Sequence, residues 1–150
     1  MRKVTVERVC GLDEVGRGPL AGPLVAAAIV FPPGFVFAEI FPDLKFGDSK
    51  KLSARQREAA AEMIRNVAQA LTVETIPVEE INARGIGWAN RTAFERLIMR
   101  LDADHYIVDG NLKLSNLGRK ARQANCVIRA DETIEAVAAA SICRSAGVST

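Results

Sequence analysis

Three apolar, strand-like runs in this chain each lead into a carboxylate. Val9-Cys10-Gly11-Leu12 leads into Asp13-Glu14, Tyr106-Ile107-Val108 into Asp109, and the run from Cys126 to Ala130 into Asp131. Short apolar runs of this kind read as buried strands. An acid at the end of a buried strand is costly unless something compensates its charge. Acids brought together also repel and shift each other's pKa. A pair of hard divalent cations removes both problems, so the pattern points to a metal-dependent site for phosphate chemistry.

The chain is long enough for one domain with a real core: 150 residues, 49% of them hydrophobic. That composition excludes a disordered polymer. The net charge of +2 gives a weak overall field, so nucleic-acid binding would have to come from local patches. One such segment runs from Asn111 to Ala130, with Lys113, Arg119, Lys120, Arg122, Arg129 and no acid. A solvated basic loop and a nucleic-acid patch are both compatible with it. Cys10, Cys126 and Cys143 sit in apolar contexts without metal-ligand spacing and read as reduced thiols. No apolar signal region follows Arg2 and Lys3, and no run has the apolar length to span a bilayer. A cytoplasmic monomer with no membrane partner is expected.

Periodicity predicts a first strand over Val4 to Leu12, a turn at Gly16-Arg17-Gly18-Pro19, and a central strand over Leu24 to Phe31 that Pro32-Pro33-Gly34 stops. The short connection favours an antiparallel pair. Phe35 to Lys45 reads as a loop. Ser53 and Gln56 form a capping box for a helix whose apolar face is Ala60, Met63, Ile64, Val67, Ala68 and Leu71. A third strand covers Leu71 to Ile76 and ends at Pro77. A second helix covers Trp88 to Leu101, with Ala93, Leu97 and Leu101 inward. Tyr106 to Val108 and Cys126 to Arg129 are the fourth and fifth strands. A third helix, Thr133 to Cys143, carries a small, apolar stretch from Ala136 to Ala140 that should pack tightly on a sheet. The sum is an α/β chain with a mixed five-stranded sheet. If strands one, four and five are adjacent and parallel, all four acids meet at one edge of the sheet.

The most specific stretch runs from Gly11 to Pro23 and reads GLDEVGRGPLAGP. Successive strand side chains point to opposite faces, so Asp13 and Glu14 share a site only if the chain bends there. Two acids and a few glycines taken alone fit a glycine-rich hairpin with a surface acid pair better than an active site. The whole stretch, however, resembles the signature of type 2 ribonucleases H (ribonuclease HII). Asp48-Ser49-Lys50-Lys51-Leu52-Ser53, Ile107-Val108-Asp109-Gly110, and Ala130-Asp131 followed by Ala138-Ala139-Ala140-Ser141-Ile142 match further family segments in the same order.

That resemblance implies a ribonuclease-H-like fold, with antiparallel strands 1-2-3 and parallel strands 1-4-5, as a single catalytic domain over residues 1–150. It implies an endoribonuclease acting on RNA/DNA hybrids and on single ribonucleotides embedded in duplex DNA. By matching position, Asp13, Glu14, Asp109 and Asp131 would hold two Mg²⁺ or Mn²⁺ ions, leaving 3′-hydroxyl and 5′-phosphate ends. Gly16, Arg17 and Gly18 would sense the ribose 2′-hydroxyl, and Ser49 and Lys50 would contact the nucleic-acid backbone. Asn111 is a candidate for a supporting role. His105 and Trp88 read as surface or packing residues, and Asp102 and Asp104 as loop acids.

After Ile142 the chain departs from the family pattern. Cys143-Arg144-Ser145 stands where the family continues with a small residue and a lysine. The family's further helices, with a tyrosine that stacks at the RNA–DNA junction, have no counterpart. The tail therefore reads as a truncation. The alternative to an active nuclease is a non-catalytic remnant that retains metal or weak nucleic-acid binding.

Overall fold

A computed structural model of the protein describes residues 7–15, 22–32, 52–128 and 135–145. The expected loop from Phe35 to Lys45 lies outside them. The described chain forms a five-stranded sheet in the order β3-β2-β1-β4-β5. Its strands are β1 (Val9–Val15), β2 (Leu24–Val30), β3 (Ala70–Ile76), β4 (His105–Asp109) and β5 (Ala124–Val127). β1 pairs antiparallel with β2, and β2 with β3, while β1–β4 and β4–β5 are parallel. This is the mixed sheet expected from the sequence.

Four α-helices are described: α1 (Ala54–Val67), α2 (Val78–Arg84), α3 (Ile86–Arg100) and α4 (Glu135–Ser145). The capping box of α1 forms as its sequence dictates. The Gln56 amide donates to Ser53 Oγ at 3.2 Å, and the Ser53 amide donates to Gln56 Oε1 at 2.9 Å. The buried stripe of α1 is Ala60, Ala61 and Ile64; Met63, expected inward, is 45% exposed. The third helix of the sequence reading is α4, buried from Ala136 to Cys143.

Alternation along β1 sends Cys10 and Leu12 to one face of the sheet and Gly11 and Asp13 to the other. The first face carries Leu24, Ala26, Ala28, Val30, Tyr106 and Val108 under Ala89, Ala93, Phe94, Leu97 and Ile98 of α3. The second packs Ile29 and Phe31 against α1 and α4. Burying each large apolar side chain contributes ~1.5–3 kcal/mol. α4 presses closest on β1. A Cβ at Gly11 would lie 2.1 Å from the Ala136 carbonyl carbon and 2.3 Å from the Val137 nitrogen. Only glycine fits there.

Both ends of β1 and both ends of β5 differ from the sequence reading, and pairing with other segments sets those of β1. Glu7 and Arg8 precede β1. The Arg8 amide donates to Asp104 Oδ2, and its carbonyl accepts the amides of Asp104 and His105. At its other end β1 runs on through the acid pair to Val15, because β2 still pairs with it there (Val15 with Val25). β5 starts at Ala124 and stops at Val127, so Ile128, expected within the strand, sits in a turn and is 68% exposed. The sequence reading also omitted α2 and the 3₁₀ turn at Gly118–Gln123. No residue of either is fully buried, and α2 sets only the partly buried Ile81 against the core, too little for a periodic apolar stripe.

Candidate active site

β1 and β4 run parallel, and their last pair is Leu12 with Val108. Asp13 and Asp109 each follow a member of that pair, at the carboxyl ends of adjacent parallel strands. Asp13, Glu14 and Asp109 line one cavity of about 310 Å³, together with Asn90, Gly110, Asn111 and Leu112. Ligand sites of open α/β sheets form at such strand ends.

The bend expected between Asp13 and Glu14 is absent from the pairing. The β1–β2 register is unbroken from Cys10 to Val15. Both acids still reach the cavity, because it opens where β1 runs past the last residue of β1 paired with β4. Side chains from both faces of β1 can line it there. Asp13 is 5% exposed, and its Oδ1 accepts the Glu14 amide at 2.8 Å. That bond fixes the carboxylate against its own strand. Asp109 ends β4 beside Val127 of β5, and the next amide, Gly110, donates to the Val127 carbonyl at 3.0 Å. Gly110 has φ of 133°, a conformation that side chains strain to adopt, so the chain turns away directly after the acid.

Asp131, Gly16, Arg17, Gly18, Ser49 and Lys50 lie outside the described residues. Among the described residues no group of three or more His, Cys, Asp or Glu side chains is arranged to hold a metal ion. The donors that share the cavity are nonetheless all oxygen: three carboxylates and two carboxamides. Hard cations such as Mg²⁺ and Mn²⁺ take oxygen ligands, so the chemistry of this donor set fits them. The thiols do not compete. Burial pushes Cys10 up to about 12 and Cys143 up to about 11, which keeps both protonated.

The model for the family described as ribonuclease HII matches residues 10–146. The chain belongs to the ribonuclease HII family. It is 40% identical over 141 residues to a ribonuclease HII of Dechloromonas aromatica, covering 93% of this chain and 67% of that one. A ribonuclease HII of Ruegeria pomeroyi is 42% identical over 137 residues, with 90% of this chain and 54% of that one covered. The chain thus spans between about half and two thirds of the length of these ribonucleases HII. Among solved structures, the ribonuclease H2 of Pyrococcus horikoshii superposes with a TM-score of 0.77 at 25% identity, covering 93% of this chain and 71% of that one. The ribonuclease HII in the PCNA complex of Archaeoglobus fulgidus gives 0.76 at 28% identity, covering 93% and 70%. The ribonuclease-H-like sheet expected from the sequence is the observed one.

Several residues have roles that differ from, or add to, the sequence reading. Lys120 belongs to the basic segment, yet its Nζ donates to the carbonyls of Ile98 at 2.9 Å and Leu101 at 2.7 Å. It also lies 5.4 Å from the centre of the Tyr106 ring. Its charge is spent on the end of α3, whereas Lys113, Arg119 and Arg122 are exposed and Arg129 lies outside the described residues. His105 pairs with Glu7 at 2.6 Å on the surface, and Trp88 stacks under Arg84 at 4.7 Å. Asn111 lines the cavity, and so does Asn90, which the sequence reading passed over. The signal for Asn90 was available: it is the one polar residue on the buried face of α3.

Proposed function

We propose that this protein is a divalent-cation-dependent endoribonuclease. It would cut the RNA strand of RNA/DNA hybrids and single ribonucleotides embedded in duplex DNA, leaving 3′-hydroxyl and 5′-phosphate ends. Residues 1–150 act as one catalytic domain. The observation that carries this reading is the convergence of Asp13, Glu14 and Asp109 on one cavity in a chain of the ribonuclease HII family.

Asp13, Glu14 and Asp109, with Asp131, are the residues that would hold two Mg²⁺ or Mn²⁺ ions. When bound, such ions supply an activated water and positive charge for the departing 3′ oxygen. The chain's own share is positioning. The Glu14 amide holds the Asp13 carboxylate in place before any ligand arrives. The pairing of Asp109 with Val127 fixes the second strand end. Mutual repulsion keeps the bare carboxylates from closing on one another. Gly16, Arg17 and Gly18, which follow β1 directly, read the ribose 2′-hydroxyl, and Arg17 supplies charge-assisted donors. Ser49 and Lys50, just before the Ser53 cap, contact the backbone of the duplex.

The test uses duplex DNA with one embedded ribonucleotide beside the same duplex in all-DNA form. The expected result is Mg²⁺- or Mn²⁺-dependent cleavage of the first alone. Loss of a charge-assisted hydrogen bond should make Arg17→Ala at least about tenfold slower on it. Cleavage of both duplexes would make the protein a general nuclease. Unchanged activity of Arg17→Ala would remove the 2′-hydroxyl role from that residue. A well-folded wild type without cleavage would leave the remnant that only binds.

A further inference from the structure

Every buried position on the inner face of α3 is apolar except one. Ala89, Ala93, Phe94, Leu97 and Ile98 pack on the sheet, and Asn90 is among them at 1% exposure. Asparagine is a poor helix former, and its carboxamide costs free energy to bury unless it is hydrogen-bonded. An alanine or leucine there would serve packing better. Among the described residues no buried side-chain nitrogen or oxygen lacks a hydrogen-bond partner, so the carboxamide is held in place. The place is specific: Asn90 lines the cavity with Asp13, Glu14 and Asp109. Alternation along β1 sends Glu14 to the α3 side of the sheet, with Cys10 and Leu12, and Asp13 to the other. Glu14 is therefore the acid on the same side of the sheet as Asn90.

We infer that Asn90 is a positioning residue for Glu14, orienting its carboxylate for a divalent cation without neutralising it. This rests on the cation reading above. An ionised carboxylate only accepts hydrogen bonds, and an asparagine amide offers two donors and no charge. A lysine or arginine in that position would also orient Glu14, but it would compete with the cation for the same negative charge. Groups that orient ligands from behind typically change metal affinity by ~10–100-fold when removed.

The experiment is calorimetric titration with Mn²⁺ alone, on wild type, Asn90→Leu, Asn90→Thr and Asp13→Asn, with melting temperatures measured in chelator. Leucine keeps the forked heavy-atom shape and removes the donor, whereas threonine keeps a donor. The inference expects Asn90→Leu to bind Mn²⁺ about tenfold more weakly and Asn90→Thr to stay within about threefold of wild type. The metal-free melting temperature of Asn90→Leu should be equal to or above that of wild type. Wild-type affinity in Asn90→Leu, with binding lost in Asp13→Asn, overturns the role of Asn90 and leaves the cation reading standing. Equal losses in the leucine and threonine variants, or a lower metal-free melting temperature for Asn90→Leu, make the role merely structural and overturn it too. A wild type that does not bind Mn²⁺, or an Asp13→Asn variant that binds it as well, overturns the cation reading and this inference with it.

Discussion

A methyl group on Gly11 would sit 2.1 Å from the Ala136 carbonyl carbon, inside the contact between β1 and α4. Neither backbone can yield without moving an element. Overpacking of this kind costs about 1–3 kcal/mol, and here both atoms struck are main chain. Gly11→Ala should lower the urea midpoint by at least that equivalent. It should also impair catalysis, because Asp13 lies two residues along the same face. A second expectation at this scale concerns the thiols. Burial raises Cys10 to about 12 and Cys143 to about 11 from an ordinary value of 9.0. Native alkylation at pH 8 should therefore label the half-buried Cys126 first. The sign of the linkage follows. A raised thiol pKa gives stability that is fully present below about pH 9 and lost as pH rises toward 12. Unfolding free energies measured at pH 8 and 10.5 should fall more steeply in wild type than in Cys10→Ala. The acids were legible in the sequence because charge at the end of an apolar run is conspicuous. Asn90 was equally legible, three residues before Ala93 and seven before Leu97 on the same helical face, but one asparagine is less conspicuous than an acid.

At the scale of elements, Lys120 ties the carboxyl end of α3 to β4. It donates to two carbonyls of the α3 terminus and lies over Tyr106, whose hydroxyl donates to the Leu101 carbonyl and accepts the Ala103 amide at 3.1 Å. A cation at a helix C-terminus is also favoured by the helix dipole. Lys120→Met should cost roughly 1.5–3 kcal/mol, the range for hydrogen bonds to a charged group, read as a lower melting temperature. Arg119→Ala, on the exposed side of the same turn, should stay within about 0.5 kcal/mol of wild type. The contrast explains what the sequence could say about these elements. The cap of α1 was legible because its two bonds join residues three apart. The use of Lys120 was not, because its acceptors lie 19 and 22 residues away in sequence. The start of β1 was misplaced for the same reason: Asp104, far along the chain, binds the Arg8 amide.

For the whole molecule, the order of the strands is what places the site. Antiparallel pairing of β1, β2 and β3 and parallel pairing of β1, β4 and β5 bring Asp13 and Asp109 to neighbouring strand ends. Part of that order could be anticipated from the chain itself, because the short β1–β2 connection favours an antiparallel pair. β2 and β3 pair antiparallel across α1, against what a helical crossover favours, so that pairing was legible only through the family resemblance. The exposed residues of the basic segment, Lys113, Arg119 and Arg122, follow the cavity directly in the chain. The central claim is that acids gathered at one sheet edge hydrolyse the RNA strand with the help of divalent cations. The most direct measurement is cleavage of an RNA/DNA hybrid by wild type and Asp13→Asn, each with Mg²⁺, with Mn²⁺ and with chelator. The account predicts cutting of the RNA strand to 3′-hydroxyl and 5′-phosphate ends by wild type with metal. It predicts a loss of at least about a hundredfold in Asp13→Asn, in keeping with the several kcal/mol a metal supplies in the transition state. Cleavage that persists in chelator, or an Asp13→Asn variant as active as wild type, would contradict it.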